Sequence, residues 1–229
     1  MSTAKNLFLA ASLIVSSMAF SQDDQHHQKN DAKDSTTSAN EYMHRSSTEN
    51  LIKHFESPER DAYQKPEEVL AYLGGLKDKK IMDIGAGSGY FSVKLAEKGA
   101  QVIAADVSDE FQTALKKRID ENNLKNIELR KIPYDSPNLS DNEVDMVLIV
   151  NTYHHIENRA DYFTKVKKGI KPDGKLVVID YYKTEIPVGP PVNHKVSMDV
   201  VITELKKAGY TEFEVDVDLL PYQYIINAK

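Results

Sequence analysis

The chain has 229 residues, 41% of them hydrophobic, and a formal net charge of −6. This length fits one domain with appendages, and the scattered lysines and arginines form no basic face for nucleic acid. The chain contains no cysteine, which excludes thiolate nucleophiles, cysteine-held arsenite and cysteine-ligated iron–sulfur clusters.

The first 21 residues have the pattern of a cleavable secretory signal. Lys5 precedes an apolar run from Leu7 to Phe20 that is diluted by serines, and the run ends at Ala19-Phe20-Ser21. The run is short for a membrane span, and its small-x-small ending resembles a signal-peptidase site. We expect an exported protein, periplasmic or envelope-associated, without stable membrane insertion after cleavage. The alternatives are an uncleaved N-terminal anchor or, if there is no signal, a cytoplasmic protein.

Residues 22–40 are rich in Asp, His, Lys, Ser and Thr, which predicts a disordered linker. Its Asp23, Asp24, His26 and His27 are too loosely placed to predict a metal site. The domain is then expected at 41–229, with residues 41–75 as a helical cover. This cover contains an amphipathic helix over Glu41–Glu56, a helix start at Ser57–Arg60, and a helix over Pro66–Leu73 that ends at Gly74-Gly75.

The organising segment is KIMDIGAGSGYFSVKLAEKGAQVIAAD, residues 80–106. Its order predicts a strand, a glycine-rich turn at Gly85–Gly89, a helix over Tyr90–Gly99 and a second strand that ends at Asp106. Glycines let backbone N–H groups approach a ligand, and an acid about 20 residues further on suits a ribose diol. The segment therefore predicts a pocket for a nucleoside cofactor, whereas a plain tight turn would need neither acid.

The spacing of the glycines argues against a dinucleotide. The G-x-G-x-x-G pattern needs a third glycine where this chain has Tyr90, and no Gly-Lys-Ser/Thr follows to make a phosphate-binding loop. The segment instead resembles the D-x-G-x-G-x-G signature of class I S-adenosylmethionine-dependent methyltransferases, with small-molecule type 11 and 25 domains the nearest in character. The resemblance implies S-adenosyl-L-methionine as the cofactor. It also implies that the methionine part contacts Asp83, Gly85, Ala86, Gly87 and Gly89, that Asp106 contacts the ribose, and that Val107 contacts the cofactor.

Downstream patterns predict the rest of an α/β fold. Helices are expected over 109–122, 161–170 and 197–208, and strands over 127–132, 144–150, 175–180, 213–219 and 222–227. The passage GIKPDGKLVVID resembles the segment before the fifth strand of the same family. The prediction is a Rossmann-like three-layer sandwich with a seven-stranded, mostly parallel sheet and an antiparallel last strand.

Ligands in such sheets bind at the carboxyl ends of the strands. After the third strand, Asp135 is the candidate for the adenine amino group, or else Tyr134 packs on the adenine face. After the fourth strand, Asn151 is a candidate cofactor contact. His154 and His155 follow it as candidates for a general base acting on a hydroxyl, thiol or acidic carbon. We expect the two imidazoles to diverge; packing is the alternative role for both.

Two further features narrow the chemistry. The segment after the fourth strand lacks the Asn/Asp-Pro-Pro-Tyr sequence of DNA-adenine and glutamine methyltransferases, and only Asp180 is well placed for a metal, so no metal is predicted. The loop Tyr181–Ser197 is either a substrate-binding lid or a rigid connection.

The predicted function is methyl transfer to a small-molecule acceptor, with the acceptor atom open. Alternatives are an exported cofactor-binding or scaffold protein without catalysis, and an NAD-dependent oxidoreductase, disfavoured by Tyr90 and by the lack of a Tyr-x-x-x-Lys pair.

Overall fold

The computed structural model describes residues 39–40 and 46–229, which belong to a compact unit spanning 38–229. The predicted signal and residues 22–38 of the predicted linker lie outside the described residues. Residues 39 and 40 are helical, and Asn40 Nδ2 donates to the carbonyl of His155 at 3.2 Å. The predicted linker boundary at residue 40 is therefore wrong, because Asn40 is bonded to the folded domain.

The N-terminal cover begins, as far as it is described, with three short helices: α1 (Thr48–Phe55), α2 (Pro58–Gln64) and α3 (Pro66–Leu73). Ser47 and Ser57 cap α1 and α2, since each hydroxyl accepts from a backbone N–H three residues on, at 3.3 Å. The helix predicted over Glu41–Glu56 therefore starts later, at the Ser47 cap, within the described residues.

The remaining elements alternate between strands and helices. Their order is β1 (Lys80–Ile84), α4 (Tyr90–Glu97), β2 (Gln101–Asp106), α5 (Asp109–Glu121), β3 (Ile127–Lys131), β4 (Val144–Val150), a 3-10 turn (Tyr153–His155), α6 (Arg159–Gly169), β5 (Ile170–Tyr181), a second 3-10 turn (Val192–His194), α7 (Met198–Lys207), β6 (Phe213–Asp216) and β7 (Gln223–Ala228).

Two strands differ from the sequence prediction. β5 begins at Ile170 rather than Lys175, because Ile170 pairs with Val144 and Lys175 with Met146 across a bulge. β6 ends at Asp216 rather than Leu219, because the Asp216 carboxylate accepts from the N–H groups of Asp218 and Leu219 at 2.9 and 2.8 Å. This local turn competes with the strand ladder.

The seven strands form one sheet in the order β3-β2-β1-β4-β5-β7-β6. β7 runs antiparallel to both of its neighbours, while the other pairs are parallel. This confirms the predicted seven-stranded sheet and its antiparallel last strand. Strand order reverses between β1 and β4, so their carboxyl ends flank the crevice where ligands bind in open α/β sheets.

Helices cover both faces of the sheet. β4 shows this most clearly, since Val147 and Ile149 join the core under α6 and α7, while Met146 and Leu148 join the opposite core under α3 and α4. α5 lies on the same face as α4, where Leu115 packs with Val93. The three layers are as predicted, and the strand is apolar because both faces are buried. No described helix is both long and apolar enough to cross a membrane.

Candidate active site

The glycine-rich turn is fixed against β2. The backbone N–H groups of Gly85 and Ala86 both donate to the carbonyl of Ala105, at 2.9 and 3.1 Å. The methyl group of Ala86 packs into the core beneath α5. Ala86 therefore offers backbone rather than side chain to the crevice.

Gly85 permits a close approach between two strand ends. Its φ is +75°, and a Cβ there would lie 2.3 Å from Oγ1 of Thr152. Thr152 follows β4, so the absence of a side chain lets the segment after β4 rest on the turn after β1. Gly89 is similarly restricted, because a Cβ would lie 2.2 Å from Cδ1 of Leu115 in α5.

Asp106, at the end of β2, is 6% exposed and joins two turns. Its Oδ2 accepts from the N–H of Gly87 and its Oδ1 from the N–H of Ser108, both at 2.8 Å. Burial raises the pKa of this carboxyl, and the backbone N–H groups of Ser108, Gly87 and Val107 oppose that rise. The structure thus places Gly87 beside Asp106, while the contact of Asp106, Val107 and Gly87 with a cofactor stays a prediction.

Asp83 is a second buried acid, at the end of β1 and 4% exposed. Burial raises the pKa of Asp83 to about 6, although a hydrogen bond from Ser92 and the charge of Arg60 oppose that rise. Ser92 Oγ donates to its Oδ2 at 2.7 Å. A carboxylate in this setting would be stabilised by an additional cation.

The N-terminal helices contact the glycine turn directly. The ring of Phe55 lies 3.6 Å from the position of a Cβ at Gly87. The carboxylate of Glu56 accepts from Ser88 Oγ and pairs with Arg118 of α5. α1 is thereby attached both to the turn and to the helix beside it, consistent with its predicted role as a cover.

Arg60, in α2, is a buried cation beside the same turn. It is 9% exposed, its guanidinium lies 4.0 Å from the centroid of the Tyr90 ring, and Nη1 donates to the carbonyl of Phe55 at 3.2 Å. The hydroxyl of Tyr90 donates to Asp61. No ion pair of Arg60 is found among residues 39–40 and 46–229, and its buried Nε has no hydrogen-bond partner there.

Asn151 has a left-handed conformation, with φ of 56°, directly after β4. Its Nδ2 donates to Gln64 Oε1 at 3.2 Å and to the hydroxyl of Tyr181 at 3.0 Å. Gln223 of β7 donates to Asn151 Oδ1. The ends of β4, β5, β7 and α2 therefore meet in a cluster of uncharged polar side chains, and the Nε2 of Gln64 and Oε1 of Gln223 have no partner within it.

His154 and His155 differ in their partners. Nδ1 of His154 lies 2.9 and 3.0 Å from the two carboxylate oxygens of Asp180, which is fully buried. Nδ1 of His155 lies 3.0 Å from Oδ1 of Asn40. The expected divergence is wrong, since the ring centroids are 4.3 Å apart and the rings are tilted by 39°. The short 3-10 turn keeps the two rings adjacent.

The remaining predicted residues lie on loops. Asp135 is exposed after β3, and its carbonyl accepts from Lys165 Nζ at 2.7 Å, while Tyr134 beside it is 60% exposed. In the loop after β5, Lys195 is 3% exposed, and its Nζ donates to the carbonyl of Thr184 at 2.9 Å. A role for Asp135 at the adenine, and for this loop at the substrate, stays a prediction.

A cavity of about 490 Å³ opens beside the two histidines. The 3-10 turn, the start of α6 and part of α7 form its walls, with lining residues that include Asn40, His154, His155, Arg159, Ala160 and Glu204. Within the described part of the chain, no group of three or more His, Asp or Glu side chains could hold a metal ion.

Sequence reasoning missed two roles. It considered Asp180 only as a metal ligand, although its position at the end of β5 places it beside the residues that follow β4. It gave no role to Gln223, because a glutamine at the start of a terminal strand carries no periodic or motif signal.

Comparison with known proteins agrees with this geometry. Residues 82–178 match the sequence profile of a family described as a methyltransferase domain. A curated uncharacterised methyltransferase of Staphylococcus carnosus is 28% identical over 128 residues, which are 53% of this chain and 56% of that protein. A ubiquinone biosynthesis O-methyltransferase of Acinetobacter baumannii is 28% identical over 104 residues, 45% and 44% of the two chains. The chain therefore spans about half the length of these curated relatives.

Among solved structures, a SAM-dependent methyltransferase from Aquifex aeolicus superposes with a TM-score of 0.73 and 29% identity, covering 78% of this chain and 96% of that one. Residues 82–178, which match the family profile, contain both acids, the glycine turn, β4 and the adjacent histidines. In sequence over residues 82–178 and in fold, the chain is therefore similar to class I S-adenosylmethionine-dependent methyltransferases.

Proposed function

We propose that this chain is an enzyme that transfers the methyl group of S-adenosylmethionine to a small-molecule acceptor. The observation that carries the proposal is the buried Asp106 carboxylate, held at the crevice by the N–H groups of Gly87 and Ser108. A carboxylate only accepts hydrogen bonds, so it suits the two donor hydroxyls of a ribose.

The other end of the crevice supports the same cofactor. Asp83 provides a buried negative charge and Arg60 a buried positive charge, with the Tyr90 ring under the guanidinium. An amino-acid tail has an ammonium and a carboxylate, so its two charges complement this pair. Asp83, Gly85, Ala86, Gly87, Gly89, Asp106, Val107, Asp135 and Asn151 remain the proposed cofactor contacts.

Bound S-adenosylmethionine supplies a methyl group already activated on a sulfonium. The contribution of the chain is then to hold the acceptor in line and to exclude water. Phe55 and Glu56, at the end of α1, contact Gly87 and Ser88 of the glycine turn. A small acceptor is supported by the cavity beside the histidines and by the likeness to the ubiquinone biosynthesis O-methyltransferase.

A dinucleotide oxidoreductase remains disfavoured. The third glycine of its fingerprint would stand at position 90, where this chain has a tyrosine that is 3% exposed and bonded to Asp61. The side chain occupies the helix–strand packing position that glycine leaves open.

We propose also that residues 1–21 are a signal and that the mature chain is exported. Their composition supports this. Mass spectrometry of protein from the native envelope should show a chain that starts near Gln22; intact Met1 in the cytosolic fraction would refute the proposal.

The function is tested by transfer of isotopically labelled methyl from S-adenosylmethionine to a low-molecular-weight extract of the source cells. Wild type should label a small molecule, and Asp106→Asn should reduce labelling by at least about tenfold, through loss of charge-assisted hydrogen bonds. Asp145→Asn is the matched control, since that carboxylate accepts from the Lys80 N–H at 2.8 Å, at the opposite end of the sheet. Cofactor binding without any transfer would favour the non-catalytic alternative.

A further inference from the structure

We propose that Asp180 orients His154 as a general base, and that Nε2 of His154 takes the proton from a hydroxyl acceptor bound in the cavity beside α6. The inference rests on the methyl-transfer function proposed above. It specifies His154 rather than His155, Nε2 rather than Nδ1, and a hydroxyl oxygen as the acceptor atom.

The hydrogen bonds of Asp180 determine the tautomer of His154. The Asp180 carboxylate accepts from two backbone groups, the N–H of His154 at 3.2 Å and that of Tyr181 at 2.8 Å, and faces Nδ1 at 2.9 Å. Both of its oxygens are therefore acceptors. The proton of the neutral ring must then lie on Nδ1, and the lone pair on Nε2.

The two histidines have different hydrogen-bond partners. Within residues 39–40 and 46–229, the hydrogen bonds of the His154 side chain all involve Nδ1, which leaves Nε2 for a ligand. Nδ1 of His155 instead lies 3.0 Å from the amide oxygen of Asn40. An acid–imidazole pair is the arrangement that orients a catalytic base, so His154 is the base and Asp180 its positioning residue.

His154 lies near the glycine turn proposed for the cofactor and near the cavity proposed for the acceptor. Thr152 lies against Gly85 of the cofactor turn, and His154 follows it by two residues. His154 also lines the cavity, whose volume of about 490 Å³ is in the range of small-molecule sites. The acceptor can therefore contact the imidazole from the cavity while the cofactor occupies the crevice.

The chemistry of the base indicates the acceptor atom. A neutral amine attacks with its lone pair and loses a proton afterwards, whereas a hydroxyl with a pKa of about 10 gains most from a base during the transfer. The hydroxyl oxygen bonds to the methyl carbon as the carbon–sulfur bond breaks. The bonding pair stays on sulfur, giving a neutral thioether, and the hydroxyl proton goes to His154 Nε2 and later to solvent.

The tautomer is tested without turnover, by long-range nitrogen NMR on protein saturated with S-adenosylhomocysteine. In wild type, the neutral imidazole of His154 should have its proton on Nδ1. Asp180→Asn should move that proton to Nε2, because the one amide oxygen cannot replace two carboxylate oxygens and the amide nitrogen donates to Nδ1. Asp145→Asn should leave the tautomer unchanged.

Turnover is tested with phenol and with 4-nitrophenol at pH 9, where the latter is ionised and needs no base. His154→Ala and Asp180→Asn should each slow methyl transfer to phenol by about 10²–10⁴-fold, with a much smaller effect on 4-nitrophenol. Added imidazole should partly restore His154→Ala. Ala160→Phe, which fills the cavity, should slow both reactions and leave the dissociation constant of S-adenosylhomocysteine unchanged.

Several results would overturn the inference while S-adenosylhomocysteine still binds. These are a neutral His154 ring with its proton on Nε2 in wild type, equal losses on both phenols, or transfer to aniline but to neither phenol. No transfer to any of the three probes would also overturn the acceptor class. Failure to bind S-adenosylhomocysteine would instead refute the proposed function itself.

Discussion

Replacing Gly85 by alanine should destabilise the domain for two separate reasons, backbone strain and a steric clash. The backbone has φ of +75°, which costs an L-residue with a side chain about 1–2 kcal/mol. The new methyl would also lie 2.3 Å from Thr152 Oγ1 and 2.4 Å from its Cγ2. Overpacking of this kind costs about 1–3 kcal/mol, so the free energy of unfolding should fall by about 2–5 kcal/mol.

Gly209→Ala is the matched control, because it has the backbone cost without the clash. Its φ is +94°, and the nearest atom to an added Cβ is Lys167 Cδ at 3.8 Å. Urea unfolding should show a loss of about 1–2 kcal/mol for this variant. A double variant, Gly85→Ala with Thr152→Gly, should recover part of the difference, since it removes the atoms that the methyl contacts.

The same variant should weaken binding of S-adenosylhomocysteine, because the segment after β4 must move away from the turn. Equal losses for Gly85→Ala and Gly209→Ala, with no recovery in the double variant, would refute the close approach of Thr152. Unchanged ligand affinity in the folded Gly85→Ala protein would refute its importance for the crevice.

Three further predictions concern charge and the cover. The native pKa of Asp83, about 6, is above its usual 3.8, so the native state binds more protons than the unfolded state between these pH values. The free energy of unfolding should therefore fall by roughly 3 kcal/mol as the pH rises through this range. Asp83→Asn should remove this fall, which is measured by urea unfolding at pH 4 and 7.5. Arg60→Met should weaken S-adenosylhomocysteine by about 10- to 100-fold in calorimetry but leave 5′-methylthioadenosine, which lacks the amino-acid tail, unchanged. Glu56→Gln should speed hydrogen exchange of the Thr48–Phe55 amides several-fold, since the partly exposed pair with Arg118 is worth about 1 kcal/mol at most. Unchanged exchange would show that the cover is held by packing alone.

The sheet could be predicted because its strands have strong local signals. β4 is almost wholly apolar, and both faces of it are buried. The glycine turn and Asp106 were found for a similar reason, since close backbone approach and ribose recognition both restrict residue type at fixed spacing. Each of these features lies within one continuous stretch of sequence.

Interactions between distant segments could not be predicted in the same way. The contact of His154 with Asp180 spans 26 positions, and that of Gln64 with Gln223 spans 159. No periodicity connects such residues, so their pairing depends on the register of β4, β5 and β7. The early start of β5 was missed because Pro172 and Gly174 mark a turn in sequence, whereas the structure places them in a bulge.

The most direct test of the central claim is calorimetric titration of the full chain with S-adenosylhomocysteine and, separately, with NAD⁺. The account predicts one site for S-adenosylhomocysteine, weakened at least about tenfold by Asp106→Asn and retained in Asp145→Asn, with no binding of NAD⁺. Binding of NAD⁺ in preference, or S-adenosylhomocysteine affinity that does not depend on Asp106, would contradict it.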